Sequence, residues 1–267
     1  MIAAFKQIFR PQAAARSLPS VPEGERYYVI GDVHGRNDLF QALSTEIDAD
    51  DSASDDADTT VVLLGDLVDR GPDSAGVIRH AKEWGNRRRL RYLAGNHEDM
   101  FLESFDDVTV LRHFLKHGGR ETILSYPIDR RRYNSLSLEE LQEEIRRIVP
   151  REHRQFLAGF EEMIVAGDYL FVHAGIDPSR PIDQQKRSDL LWIRERFLAN
   201  TETLDHVVVH GHTIFDDVED RGNRIGIDTG AFRSGCLTAL VLEGQGRRYI
   251  KAVERDGEIG IEHVRGR

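Results

Sequence analysis

The sequence predicts a layered α/β fold. Three observations predict it. Short β-branched and apolar runs alternate with segments of helical periodicity; the first three runs each end in a glycine-flanked polar cluster; and a mostly helical stretch separates them from a second series of strand-length runs. In sheets of this kind functional residues gather on the loops that follow strand C-termini. With 267 residues, the chain fits one core carrying a helical excursion.

Residues 1 to about 25 carry Pro11, Pro19 and Pro22 among alanines and serines and read as a tail, which leaves 26–267 as the domain. Within the tail, Ile2, Phe5, Ile8 and Phe9 are interrupted by Lys6 and Gln7. That run is too short and broken for a secretory core and reads as a frayed end or a short amphipathic helix. The first strand spans Tyr27 to Ile30 and the first helix Asn37 to Ile47. The acidic stretch Asp48 to Asp58 has no large apolar side chain and no calcium-loop pattern, so it reads as a solvated loop. A strand at Thr60 to Leu64, a turn at Gly71-Pro72, a helix from Asp73 to Trp84 and a strand from Arg89 to Leu93 follow. The helical insertion occupies about 98–162, where Ser137 and Glu140 form a capping-box pair opening an amphipathic run through Ile148. Strand signals resume at Tyr169 to Val172, Val207 to Val209, Arg224 to Ile227, Leu237 to Leu242 and Tyr249 to Val253.

Composition removes several function classes. The formal net charge is −10, with 46 acidic against 36 basic residues, so no global positive field favours nucleic acid. The arginines of Arg87-Arg88-Arg89, with Arg91, and of Arg130-Arg131-Arg132 read as solvated basic edges or, as a minor alternative, docking points for acidic phosphopeptides. Cys236 is the one cysteine, which excludes an intramolecular disulfide and a thiolate-rich zinc site. It reads as a small buried strand residue; a cysteine-dependent phosphatase needs an arginine six positions on, where Leu242 stands. No apolar run is long enough to span a bilayer, and a cytoplasmic protein without a membrane partner is expected.

Three strands each end in metal-capable residues: Gly31-Asp32-Val33-His34-Gly35, Gly65-Asp66-Leu67-Val68-Asp69-Arg70-Gly71 and Gly95-Asn96-His97-Glu98. Two more deliver histidines, at His173-Ala174-Gly175 and His210-Gly211-His212. A divalent cation needs several oxygen and nitrogen donors converging on one point, and neighbouring strand ends are rigid places from which to aim them. Any one cluster is ordinary loop chemistry. Five in one chain, each after a strand, are not.

On these motifs the chain resembles the calcineurin-like metallophosphoesterase superfamily, and within it the phosphoprotein phosphatase branch with its small bacterial and bacteriophage members. The resemblance runs from Asp32 to His212 and continues in texture to Ile227-Asp228-Thr229-Gly230. It implies a four-layer α/β/β/α sandwich and two divalent cations, manganese being expected. Asp32 and His34 would hold the first, Asp66 would bridge, and Asn96, His173 and His212 would complete the second. The pair would lower the pKa of a shared water for in-line attack on phosphorus. His97 would be the general acid with Asp69 as its partner, and Arg70, Arg194 and Asn96 would bind phosphate. Arg194 has Arg187 and Arg196 as neighbours of the same type.

The implied activity is hydrolysis of phosphate monoesters on serine or threonine side chains of proteins. Symmetrical dinucleoside tetraphosphate hydrolases share most of the ligands but usually have alanine at the position of Asp69; a silent metal-binding module is the alternative from another class. One departure concerns Ala94, where many relatives carry arginine. His210 reads as a packed strand residue, and His113 and His117, at i, i+4 spacing, as solvated or pocket-edge histidines. Asp228 and Thr229 read either as the pocket floor or as a strand-end turn. Oligomeric state is not legible.

Overall fold

The computed structural model describes residues 18–266. The segment Met1 to Arg10, and most of the tail read over residues 1 to 25, lie outside them. The packed chain begins before Tyr27, because Val21 is buried between the sheets and its N–H donates to the Gly244 carbonyl at 3.0 Å.

In chain order the described elements are β1 (Glu25–Ile30), α1 (Asn37–Ala53), β2 (Asp58–Leu63), α2 (Ser74–Gly85) and β3 (Leu90–Tyr92). The helical insertion holds α3 (Asn96–Glu103), α4 (Val108–Phe114), α5 (Arg120–Leu124), α6 (Arg130–Ser135), α7 (Leu138–Ile148) and α8 (Arg151–Ala158). Then come β4 (Met163–Ala166), β5 (Tyr169–Val172), α9 (Arg187–Trp192), α10 (Glu195–Leu198), β6 (Val207–His210), β7 (Glu219–Asp220) and β8 (Arg224–Gly226). The chain finishes with α11 (Ala231–Ser234), β9 (Cys236–Glu243), β10 (Gly246–Arg255) and β11 (Glu258–Arg265). One sheet has the order β11-β10-β9-β1-β2-β3 and the other β4-β5-β6-β8-β7.

The period-two alternation of the strands sorts their side chains into layers. Tyr28, Ile30, Val61 and Leu63 pack on Phe40, Leu43 and Trp84 of α1 and α2. Val29, Val62 and Leu64 point the other way and meet Tyr169, Phe171, Val209 and Ile225 of the second sheet. The far face of that sheet, with Leu170, Val172 and Val208, packs on Leu190, Ile193 and Phe197 of α9 and α10. The result is the helix, sheet, sheet, helix sandwich. The insertion keeps a core of its own around Phe101, Leu111, Phe114, Ile123 and Ile145, and α7 starts at the Ser137 and Glu140 capping box.

Two parallel triplets position the site. In the first sheet Ile30 pairs with Leu63 and Leu63 with Tyr92; in the second Val172 pairs with His210 and His210 with Gly226. All six strands therefore end along one edge of the sandwich, and their loops share it.

Four local expectations are corrected. The acidic stretch is a solvated loop only in part: α1 continues to Ala53 and Asp48, Asp50 and Asp51 are paired, whereas Asp55 and Asp56 are exposed between α1 and β2. Asp48 accepts from Trp84 Nε1 at 3.1 Å, Asp50 from Arg248 Nη2 at 2.6 Å, and Asp51 from Arg26 Nη1 at 2.8 Å. In the basic run Arg88 pairs with Asp48 and Asp51, Arg89 with Asp58, and Arg91 with Glu161, while Arg87 and Arg89 remain exposed as expected. Partners so distant in sequence leave no local signal. Cys236 is only half-buried, because it opens β9 beside the turn at Gly235. The strands β4, β7 and β11 also went unread, the last because its outer face is exposed and charged.

Candidate active site

Asp66 stands at the centre of the polar edge. Its Oδ2 lies 3.6 Å from His34 Nε2 and 3.9 Å from His97 Nε2, while its Oδ1 lies 3.5 Å from His173 Nε2. One carboxylate thus faces two groups, His34 with His97 and His173 with His212, each compact enough to hold a metal ion. Asn96 joins the second, its Oδ1 lying 3.0 Å from His173 Nε2.

The imidazoles are oriented from behind. His34 Nδ1 lies 2.8 Å from the Val68 carbonyl and His173 Nδ1 2.8 Å from that of Leu64, contacts that place the proton on Nδ1 and leave Nε2 as the lone-pair donor. Burial holds the pKa of His34, His173 and His212 below the ordinary imidazole value, so those lone pairs are free at neutral pH. Burial by itself would raise the Asp66 pKa; the surrounding imidazoles, His173 first, more than reverse this and keep it ionised.

Whether these residues suit cations can be tested on the polar atoms that nothing in the protein satisfies. Buried groups are almost always hydrogen-bonded. Here Asp32 Oδ1, His212 Nε2 and Asp228 Oδ2 have no partner. The other Asp32 oxygen accepts from the His212 N–H at 3.0 Å, which ties the β1 loop to the β6 loop. Burial, with the Asp228 and Asp66 carboxylates nearby, raises the Asp32 pKa well above the usual range. A buried acid among acids, with free oxygens and a free imidazole nitrogen, is a donor set that fits divalent cations.

His97 opens α3. Its Nδ1 donates to Asp69 Oδ2 at 2.6 Å, and the second Asp69 oxygen accepts from Thr122 Oγ1 at 2.5 Å. Burial lowers the His97 pKa, but the Asp66 and Asp69 carboxylates carry it above its ordinary value, which favours the proton-donating cation.

A family model described as calcineurin-like phosphoesterase matches residues 25–232. The chain belongs to that family. It is a metal-dependent phosphoesterase, and its His and Asp groups are able to bind the divalent pair that such enzymes use. Among relatives, the Serine/threonine-protein phosphatase 2 of Salmonella typhimurium is 27% identical over 220 residues, which cover 79% of this chain and 90% of that protein. A symmetrical bis(5'-nucleosyl)-tetraphosphatase of Paracidovorax citrulli is 35% identical over 156 residues, 58% of this chain and 46% of the other. In fold the phosphoesterase is similar to a cold-active protein-tyrosine phosphatase of a Shewanella species, with a TM-score of 0.54 at 17% identity over 92% of this chain and 83% of that one.

Loop strain concentrates at the phosphoesterase site. Among the described residues other than glycine, His34, Asp66, Asp69, Arg70 and His212 have positive φ, joined outside the site only by Asp256 in a hairpin turn. The strain is held by close packing: Gly65 is at φ +98°, and a Cβ there would lie 2.6 Å from Gly95 N. It is also held by Glu98. The buried Glu98 carboxylate accepts from the N–H groups of Asp66 (2.8 Å), Leu67 (2.8 Å), Val68 (3.2 Å) and Gly95 (3.0 Å), clamping the β2 loop onto α3. Ala94, at the position where many relatives carry arginine, is buried, and its N–H donates to the Glu161 carbonyl at 2.8 Å.

Arg70 occupies a position not anticipated for a phosphate clamp. Its Nη1 donates to His34 Nε2 at 2.7 Å and its Nη2 lies 2.9 Å from His97 Nε2, with the guanidinium 4.8 Å above the Phe232 ring. The His34 lone pair is the acceptor that holds the guanidinium there. Arg194 lies at the opposite rim, its Nη1 3.3 Å from Thr213 Oγ1. Its neighbours are engaged elsewhere, Arg187 with Asp99 and Glu162 and Arg196 with Asp189 and Asp177.

His210 is fully buried against Phe197 and Phe215, and the His113 and His117 rings pack against each other at a tilt and join neither metal-capable group. Sequence reasoning missed Glu98 as a clamp, Thr122 as the brace of Asp69, and Phe232. Glu98 stands inside a motif that was read, whereas nothing in the sequence links Thr122 to Asp69.

Proposed function

We propose that this phosphoesterase removes phosphate from phosphoserine and phosphothreonine side chains of proteins. The observation that carries the reading is the buried 2.6 Å contact between His97 and Asp69. An aliphatic alkoxide is a poor leaving group and needs a proton as the bond to phosphorus breaks. A histidine kept cationic by a dedicated carboxylate, braced in turn by Thr122, supplies it. The relative matched over 90% of its length, a serine/threonine-protein phosphatase, supports the same substrate class.

In this reading Asp32 and His34 hold one cation, Asn96, His173 and His212 the other, and Asp66 serves both. Bound there, the pair supplies Lewis acidity, activating water at neutral pH and offsetting phosphoryl charge. The protein does the rest. Arg70 releases the imidazoles and turns its planar fork to the phosphoryl oxygens, Arg194 and Asn96 contact them from the other rim, and His97 Nε2 gives its proton to the departing oxygen. The groove beyond Arg70, about 420 Å³ and lined by Pro72, Leu124, Ile128 and Arg130 among others, has room for residues flanking the phosphorylated one.

The second reading is a symmetrical dinucleoside tetraphosphate hydrolase, favoured by the 35% identity to the tetraphosphatase over 156 residues. Against it stands Asp69, usually alanine in that group, engaged here with the general acid.

The deciding experiment is a kinetic panel of phosphopeptides, dinucleoside tetraphosphate and cyclic nucleotides with manganese-loaded protein, repeated after exhaustive chelation. Highest kcat/KM on phosphoserine or phosphothreonine peptides, lost on chelation and restored by Mn²⁺, is expected. A clear preference for the tetraphosphate moves the assignment to the second reading, and activity unchanged by chelation removes both.

A further inference from the structure

Asp228 has a place in this site that the six-ligand scheme does not use. It follows β8, the third parallel strand of the second sheet, and is 1% exposed. A Cβ on Gly31 would lie 3.6 Å from the Asp228 Cα, so the two loops touch and Asp228 sits beside Asp32. One Asp228 oxygen accepts from the Gly230 N–H at 2.9 Å. The other, Oδ2, is buried with no partner, and so is Asp32 Oδ1.

Two adjoining buried acids with no lysine or arginine between them must share either a proton or a cation. A strand-end turn does not need an acid there, because an asparagine would keep the Gly230 bond and offer Asp32 an N–H without a proton having to be shared. We propose that Asp228 is a positioning residue of the metal centre, supplying negative charge beside Asp32 and orienting that side chain toward the cation it holds. The inference rests on the metal-centre reading above.

This gives a signature that a merely structural residue cannot produce. Asp228→Asn removes a charge while keeping the shape, so metal retention falls and the stability of the metal-free chain rises. Outer groups that orient ligands typically contribute 10–100-fold to metal affinity. The test loads wild type and Asp228→Asn with Mn²⁺, dialyses both against graded chelator, and measures manganese per chain; the melting temperature of the fully chelated proteins is recorded alongside. Expected are two ions in wild type, one of them lost from the variant at about 10–100-fold lower chelator strength, and a higher metal-free Tm for the variant.

Equal retention of both ions would overturn the proposal. So would loss of an ion together with a lowered metal-free Tm, since the residue would then be a structural brace. Should Asp228→Asn give no soluble protein, Asp228→Ser is read by the same two signs. A wild type that retains no manganese sinks the metal-centre reading itself, an outcome distinct from a wild type with two ions and a variant that matches it.

Discussion

His97 Nδ1 and Asp69 Oδ2 are 2.6 Å apart, both buried, and the second Asp69 oxygen is held by Thr122 from the helical insertion. His97 is thus oriented by a chain of contacts that starts in the sandwich and ends in the inserted helices. Neither part positions it alone.

His97→Asn should lower kcat on a phosphoserine peptide by about 10²–10⁴-fold, the usual contribution of a general acid. On p-nitrophenyl phosphate, whose leaving group departs without a proton, the loss should be much smaller. Equal losses on the two substrates would remove the general-acid role.

Glu98→Gln should destabilise the protein by about 1–3 kcal/mol, because an amide NH₂ replaces an oxygen that accepts from the backbone and leaves buried N–H groups unpaired. Urea unfolding of both proteins in chelator checks this. The β2 loop carries Asp66, so manganese retention should fall as well.

Arg26 is 1% exposed and bonds both Glu243 and Asp51 at 2.8 Å. Arg26→Met should cost about 3 kcal/mol, the lower end for breaking a buried pair, since Glu243 is half in solvent and can rehydrate. A loss under about 0.5 kcal/mol, as for an exposed pair, would show that the network is ornamental.

His80 packs edge-on against Phe40 and near-parallel to Trp84, and burial holds its pKa below the ordinary value of about 6.5. The unfolded chain therefore takes up this proton first as pH falls. The stability contribution is present above pH ~6.5 and lost as pH drops below it. Melting curves from pH 7.5 to 5 should show a shallower decline in His80→Gln than in wild type; parallel declines would count against the assignment.

Much of this molecule could be read without coordinates because the signals are local. Strand periodicity, the Ser137 and Glu140 cap, and polar clusters set just after apolar runs all lie within a few residues, so Asp32, His34, Asp66, Asn96, His97, His173 and His212 could be picked out before their meeting place was known. The acidic stretch failed the same kind of reading for an instructive reason. Asp48, Asp50 and Asp51 are satisfied by Arg26, Arg88 and Arg248, and composition alone cannot tell a paired charge from a solvated one.

From sequence alone came the strand-end donors and their residue types, since each depends on neighbours along the chain; the pairing of Asp69 with His97, 28 positions apart, came only with the family resemblance. Tertiary structure decided that the two parallel triplets end on one edge, that Glu98 clamps the β2 loop, that Thr122 braces Asp69, and that Asp228 lies beside Asp32. Those relationships join residues up to about two hundred positions apart. They exist only once hydrogen-bond register and layer packing have chosen which strands are neighbours.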